Sequence, residues 1–262
     1  MNQLRGIYTI WYRDILRFWH DKMRLLGSVT FPLLFLFVFG SGLSARMGVM
    51  GAGFDFTQFI YPGIIGMTVL MSSFMSGVSV VWDREFGFLK EVLVAPISRA
   101  AVATGKALGA ATIASLQGVL ILAFAPLIGV SLSIWTVLAL LPLMFLLAVS
   151  LGSFGVLLAT RIRSMEAFQA TMQMLMFPMV FLSGAFFPLQ GLPSWMNVLV
   201  KVNPATYGIA PIRQVVLGMG PDATYVITLF GHTLTLWNEI LIMAGFGAVM
   251  ILLAVWSFGN QE

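Results

Sequence analysis

Residues 240–258 read ILIMAGFGAVMILLAVWSF, nineteen residues without a charge. As a helix rising 1.5 Å per residue this run is about 30 Å long, the thickness of a bilayer's hydrocarbon core. The rest of the chain has the same character. Of its 262 residues 59% are apolar and 9% charged, with a mean hydropathy of +0.96. A water-soluble domain carries roughly 25% charged residues, so such a fold could not cover its own surface. This excludes ordinary soluble enzymes and disordered or collagen-like chains. Working outward from 240–258, five further charge-poor runs of spanning length occur at 25–43, 59–82, 104–130, 134–160 and 168–188. The reading is an all-α membrane protein with six transmembrane helices. With no cysteine there is no disulfide framework and no thiolate nucleophile or metal ligand.

The cations orient the spans. Arg5, Arg13, Arg17, Lys22 and Arg24 precede the first run, Arg84, Lys90, Arg99 and Lys106 flank the second connection, and Arg161 and Arg163 follow the fourth run. These are eleven of the fourteen Lys and Arg residues; Arg46, Lys201 and Arg213 fall on the other side. The positive-inside rule then puts both termini in the cytoplasm. Trp82 and Trp256 fall at inner ends, and Tyr61, Trp135 and Trp237 at outer ends, as interfacial rings do. The net charge of +4 is explained by this topology and implies no nucleic-acid partner. More than twenty residues, several of them basic, precede the first apolar run, which is longer than the n-region of a cleaved signal.

Two segments read differently from the spans. In residues 1–24, Leu4, Ile7, Tyr8, Trp11, Ile15, Phe18 and Trp19 recur at helical spacing while Arg13, Arg17 and Arg24 point elsewhere. This predicts an amphipathic helix in the inner interface; a plain basic topogenic tail would not give that spacing. The remainder, 25–262, is one transmembrane domain. Its connection 189–237 is long, apolar in patches and divided by Pro193, Pro204, Pro211 and Pro221. It predicts short re-entrant or outer helices capping the outer mouth.

The ten carboxylates (Asp14, Asp21, Asp55, Asp83, Glu85, Glu91, Glu166, Asp222, Glu239 and Glu262) all lie in tails, connections or the first turn of a span, and His20 and His232 lie outside the spans. An ion-coupled carrier usually places ionisable groups in its pathway, and an enzyme needs a clustered acid, base or metal set. Neither arrangement is present in the sequence, so no catalytic or metal-ligating residue is assigned. Gly105-Lys106 is no phosphate-binding loop, because Ala100 stands where its first glycine belongs and Ala107 where Ser or Thr would bind magnesium.

The connection between the second and third runs, 83–107, reads DREFGFLKEVLVAPISRAAVATGKA. Alternating charges open it, an apolar piece (Phe88, Leu89, Val92, Leu93) flanked by Glu85 and Glu91 follows, and Pro96 stops that piece. A second stretch, Phe181 to Gln214, contains Ser183, Gly184, Phe187, Pro188, Leu192, Pro193, Trp195, Asn203, Pro204, Tyr207 and Arg213 at a marked spacing. The first stretch resembles the cytoplasmic signature of ATP-binding cassette permeases of the type-2 export class: Glu85, Gly87, Glu91, then Leu93-Val94-x-Pro96-x-Ser98-Arg99, closing on Gly105-Lys106. The second resembles the Ser-Gly, Phe-Pro, Leu-Pro-x-Trp and Asn-Pro-x-x-Tyr series of the same family. With Phe59, Pro62 and Gly63 at the start of the second run, the resemblance covers nearly the whole chain, and its nearest flavour is the drug- and polysaccharide-export branch.

The resemblance implies a half-transporter. Two six-span subunits, a second copy or a paralogous permease, would form the pathway in a bacterial or archaeal cytoplasmic (inner) membrane. Two separate ABC ATPase subunits would dock beneath, with ATP and Mg bound there and no cofactor held by this chain. The loop 83–103 would be the coupling element, through Glu85, Gly87, Leu89, Glu91, Val92, Leu93, Pro96, Ser98 and Arg99. In the family the second and fifth spans face each other across the dimer axis. Thr68, Ser72, Ser76 and Ser79 form one hydroxyl stripe on the second run, and Gln169, Gln173, Met176, Phe177 and Val180 are read as one face of the fifth, below a kink at Pro178. These two faces are the expected pathway lining for an amphipathic drug, lipid or glycan. A serine stripe is also what helix packing through hydroxyls produces. The alternative function is an ion-coupled secondary transporter or channel.

Overall fold

The computed structural model describes residues 3–40, 42, 56–85, 98–162, 164–189, 191–218, 227–229 and 232–259. The chain is a helical bundle. Helix α1 (Gln3–His20) is followed after Asp21 by α2 (Lys22–Phe35), which runs into a π-helical turn, Leu36–Gly40. Then come α3 (Phe56–Phe74) and α4 (Ser76–Glu85), α5 (Arg99–Leu122), α6 (Ile134–Arg161) and α7 (Met165–Phe181). The segment after α7 holds α8 (Ser194–Val202), α9 (Pro204–Leu217) and a two-stranded hairpin, β1 (Thr228–Leu229) with β2 (His232–Thr233), before α10 (Leu236–Gly259). The hairpin, paired Thr228 to Thr233 and Leu229 to His232, is the described departure from an all-helical chain.

Local chemistry sets the helix starts. Ser98, Ser133 and Ser164 each sit in extended backbone ahead of α5, α6 and α7 and accept a hydrogen bond from an N–H of the first turn, that of Ala101, Trp135 and Ala167 respectively. This satisfies one of the four amide donors that every helix start leaves unpaired. The 3-10 turn Ala125–Ile128 after α5 ends at Gly129, whose φ of 74° is the left-handed value that glycine adopts at least cost.

Among the described residues four helices are long and apolar enough to cross a bilayer: Phe56–Glu85, Ala101–Leu122, Ile134–Arg161 and Leu236–Ser257. The bent pair Gln3–His20 with Leu25–Gly40, turned through 68°, makes five if counted as one span. Three of the six expected runs come out differently: the third, 104–130, ends as α-helix at Leu122 and closes in the 3-10 turn Ala125–Ile128. The first is shared between α2 and its π-helical turn. The fifth is cut to the 17 residues of α7, about 26 Å of helix. Pro178 removes a backbone donor in its last turn, and beyond Phe181 the chain turns at Gly184, whose φ is 75°.

The core lies around α3 and α6. Helix α6 packs against α10, α5, α3 and α9, and α3 fills the centre between α5, α6 and α9. Tyr61 on α3 is fully buried and its hydroxyl donates to the carbonyls of Ile121 and Leu122 at 3.1 and 3.2 Å, satisfying the open end of α5. Where the end of α3 and the start of α4 cross α6 the backbones touch: a Cβ on Gly155 would stand 2.7 Å from the Phe74 carbonyl oxygen, and one on Gly77 2.5 Å from the Gly155 carbonyl oxygen. Small residues allow this approach, as they do generally between membrane helices. Helices α6 and α10 are tied by Ser150 donating to Met243 O at 3.2 Å and by the Thr160–Ser257 hydroxyl pair at 2.6 Å. Exposed Trp237, Leu241, Leu252 and Trp256 line the outer face of α10, the composition of a surface meeting lipid.

Helix α1 is held sideways against α5. Ile10 and Phe18 are buried, Trp11 Nε1 donates to Thr112 Oγ1 at 3.0 Å, and Gly105 lets Ile7 and Ile10 come close. Leu4, Tyr8 and Trp19, 59–72% exposed, leave a second apolar line uncovered. The apolar residues read from the sequence as one face therefore divide into a line packed on α5 and a line left outside.

Candidate functional site

The described ends of the 83–103 loop are tied into the bundle by charge. Asp83, in the last turn of α4, is buried and accepts from Lys106 Nζ at 2.6 Å; Lys106, on α5, is itself 3% exposed and also donates to Ser79 Oγ at 3.0 Å. Arg13 of α1 stands 3.8 Å from the same Asp83 oxygen and 3.0 Å from Asp14. Arg84 donates to the carbonyls of Ile162 and Thr160 at 3.1 and 3.3 Å, where the C-terminus of α6 presents unpaired acceptors and the negative end of its dipole. On the far side of the loop the backbone N–H of Ser98 donates to Gln3 Oε1 at 3.0 Å. The described ends of this loop are thus tied to α1, α4, α5 and α6.

Of the coupling residues expected from the sequence, Glu85 is exposed at the end of α4, Ser98 is exposed and caps α5, and Arg99 is the first residue of α5. Gly87, Leu89, Glu91, Val92, Leu93 and Pro96 lie outside the described residues. The buried Asp83–Lys106 pair was not singled out from the sequence. Its members are 23 positions apart on two helices, and each reads alone as a flanking interfacial charge. The available signal is that opposite charges, Asp83 and Lys106, stand on either side of one short connection between two apolar runs.

The hydroxyl stripe divides. Helical geometry breaks at Met75, between α3 and α4, so the four positions do not lie on one continuous helix. Thr68 is 4% exposed and donates to Ile64 O at 2.8 Å; Ser76 donates across to Gly152 O at 3.2 Å and Ser79 to Ser76 O at 2.9 Å. All four nonetheless border open space. Ser72, Ser76 and Ser79 line a cavity of about 290 Å³ with Asp14, Arg17 and Lys106, and Thr68 and Ser72 line another of about 300 Å³ with Phe31, Met71 and Gln117.

The five residues read as one face of α7 fall on two. Met176 and Val180 are buried, together with Phe168 and Met172, whereas Gln169, Gln173 and Phe177 are exposed. The buried positions repeat every fourth residue, and Phe168 fits against Gly77 of α4. The exposed line, one position on, carries the two glutamines. An i, i+4 series and its neighbour one position away lie about 100° apart, so the expected set spans both.

The second sequence stretch is a clasp at the C-terminal end of α7. Asn203 caps α9 by accepting from Ala205 N at 3.0 Å, and donates through Nδ2 to Met179 O of α7 at 2.8 Å. Tyr207 donates to Lys201 O at 2.6 Å; burial, with the Glu239 carboxyl adding to it, holds the phenol above its ordinary range and keeps it a donor. Arg213, counted from the sequence as an outer-side cation, is 1% exposed: it lies 4.4 Å over the Phe59 ring and donates to Ala185 O at 2.9 Å. Gly63 of α3 packs directly on that same carbonyl. Gln214 donates to Glu239 at 2.9 Å, tying α9 to the buried start of α10. The motif residues act here as structure, fixing α7, α9 and α10 on α3. Among the described residues no group of His, Asp and Glu is placed to hold a metal ion.

Residues 5–217 match the family model described as ABC-2 type transporter. The chain is 30% identical over 213 residues to a putative transport permease, ycf38, of Cyanophora paradoxa, covering 80% of this chain and 73% of that one. It is 27% identical over 232 residues to the inner membrane transport permease YadH of Escherichia coli (strain K12), covering 86% and 88%. To nodulation protein J of Rhizobium leguminosarum bv. trifolii it is 26% identical over 213 residues, 80% of each chain.

Proposed function

The chain belongs to the ABC-2 type transporter family, and from that premise we propose that it is the permease subunit of an ATP-driven exporter. It pairs with a second copy or a paralogue and takes its energy from separate ABC ATPase subunits that bind ATP and Mg. It crosses the cytoplasmic (inner) membrane six times, α2 with its π-helical turn and α7 being the two shorter passages, with both termini inside. The substrate is an amphipathic molecule, a drug, lipid or glycan. The loop 83–103 couples: ATPase closure pushes it, and the pathway between the α3–α4 stripe and the exposed line of α7 turns outward.

The observation that carries this reading is the anchoring of the loop's two roots. Asp83 with Lys106, and Arg84 with the end of α6, convert displacement of a short cytoplasmic segment into displacement of helices. A topogenic loop needs no such ties. The test uses Glu91→Arg in the permease co-expressed with its ATPase. Substrate-stimulated ATP hydrolysis is expected to fall to the basal level with membrane insertion unchanged, and normal stimulation would reject the coupling role. Glu239 supports a contrasting arm, since a fully buried carboxyl at the start of α10 is the group an ion-coupled carrier would use. Glu239→Gln keeps a partner for Gln214 and is expected to leave transport intact; loss of transport with ATPase stimulation preserved would favour the ion-coupled alternative.

A further inference from the structure

Beyond the C-terminal end of α7 the chain closes a cup of about 270 Å³ between α8 and the hairpin, with Leu189 and the buried Ile227 in its walls. Its polar lining is Asn197 and Lys201, one turn apart on α8, with Thr228 and Thr233. The two threonines are register partners across β1 and β2, so their side chains stand side by side on one face of the hairpin. A lysine in the last turn of a helix ordinarily serves the open carbonyls there. In α8 that task falls to others: Asn203 N donates to Leu199 O at 3.0 Å, Thr206 Oγ1 to Val200 O at 2.8 Å and the Tyr207 hydroxyl to Lys201 O at 2.6 Å. Among the described residues the Lys201 ammonium, the Asn197 side-chain amide and both threonine hydroxyls have no hydrogen-bond or ion-pair partner, and no carboxylate lines the cup.

We infer that this cup binds a phosphate oxyanion, the phosphodiester of a phospholipid in the leaflet against which α8 lies. An ammonium, an amide and two hydroxyls can all donate at once, and the one charge among them is positive and unopposed. A cationic group would meet Lys201, whereas the oxygens of a phosphate accept from every one of these donors. The source of the phosphate follows from the other side of the same helix. Trp195, Val198, Leu199 and Val202 are 45–74% exposed and recur at i, i+3, i+4 and i+7, an uncovered apolar line. At 100° per residue Asn197 and Lys201 lie roughly 130° round from that line. A helix divided in this way lies in the membrane surface with its apolar line among the acyl chains, which brings the cup to headgroup depth. The volume is just under the roughly 300 Å³ at which small-molecule sites begin; it suits a headgroup and leaves the acyl chains outside. The inference requires only that the chain is embedded in a membrane, and it holds whichever way the spans are oriented and whatever they transport.

The test uses the full-length permease purified in detergent, with dioleoylphosphatidylglycerol as probe and dioleoylglycerol, which has the same chains and no phosphate, as comparison. Native mass spectrometry reads retention, and acylation of lysines by an N-hydroxysuccinimide ester, mapped on peptides, reads cover over Lys201. The phospholipid is expected to be retained about tenfold more than dioleoylglycerol, the weight of one charge-assisted hydrogen bond, and to shield Lys201 from acylation. Lys201→Gln is expected to lower that retention about tenfold and Lys201→Arg to preserve it. Thr228→Val combined with Thr233→Val is expected to lower it roughly fivefold. Each variant should keep its thermal stability, since the groups removed bond to nothing in the described protein. Lys22→Gln, at the start of α2 and outside the cup, is expected to leave retention unchanged. Equal retention of the two lipids, equal acylation of Lys201 with and without the phospholipid, or a loss with Lys22→Gln as large as with Lys201→Gln would overturn the inference. So would displacement of the lipid by excess inorganic phosphate, which would make the ligand a free anion. Failure of an ATPase to respond to the permease would instead count against the exporter reading and leave this binding measurement standing.

Discussion

Asp83 and Lys106 show how much can rest on two side chains at the edge of a membrane. Both are buried and 2.6 Å apart. Removing one partner strands the other's charge away from water, at a cost of about 3–5 kcal/mol. Asp83→Asn and Lys106→Gln are each expected to lower the thermal stability of the purified permease strongly. The double variant should recover about 1–3 kcal/mol relative to the sum of the singles. A thermal-shift cycle showing simple additivity would mean that the pair contributes no coupling. Arg213 teaches the same lesson at the opposite end. Its sequence context gives the motif but not the burial, because nothing local records that Phe59 and Ala185, more than a hundred and nearly thirty positions away, close over it. Glu239 likewise reads as an ordinary first-turn carboxylate and is in fact fully enclosed, hydrogen-bonded by Gln214.

At the scale of the element, α7 is the informative case. Its buried line, Phe168, Met172, Met176 and Val180, is spaced for helix packing; its exposed line carries Gln169, Gln173 and Phe177. The two lines predict opposite phenotypes. Phe168→Ala, opening a void against Gly77, should destabilise the permease by about 3–5 kcal/mol. Gln169→Ala should leave the melting temperature unchanged while reducing transport, if the exposed line faces the pathway. A transport assay on membrane vesicles alongside the melting curve separates the two effects. Hydropathy showed that this helix exists but not which way it faces, because apolar residues occur all round it and only the packing against α4 breaks the tie. The break at Met75 was illegible for a related reason. No proline marks it, and the contact that accompanies it, Gly77 on Gly155, joins residues 78 positions apart. By contrast the spans within Phe56–Glu85, Ala101–Leu122, Ile134–Arg161 and Leu236–Ser257 were plain in the sequence, since length and lack of charge alone decide them. The capping by Ser98, Ser133 and Ser164 is equally local in origin.

For the molecule as a whole, the number of passages is the property that hydropathy and helix length describe differently. Among the described residues the six apolar runs correspond to four clear spanning helices, a bent pair and the 17-residue α7. The absence of cysteine makes the question simple to put. Single cysteines at Ser131, Ser164 and Ser194 in intact cells should react with a membrane-impermeant maleimide at 131 and 194 and not at 164. Protection of 194 would mean that α7 returns to the side it left and that the chain crosses four or five times. The outer clasp bears on the same point. With Asn203, Thr206 and Arg213 all bonded to α7 or to the turn after it, the short helix is held at its C-terminal end by hydrogen bonds rather than by length.

The sideways seat of α1 has a consequence for biogenesis. Its docking groove, Gly105, Gly109 and Thr112 on α5, is translated about a hundred residues after Ile10, Trp11 and Asp14 that fill it. The nascent amino terminus must therefore wait on the headgroup surface while the two apolar runs between, 25–43 and 59–82, leave the ribosome. Its uncovered tyrosines and tryptophan are the float that keeps it there until the berth is ready.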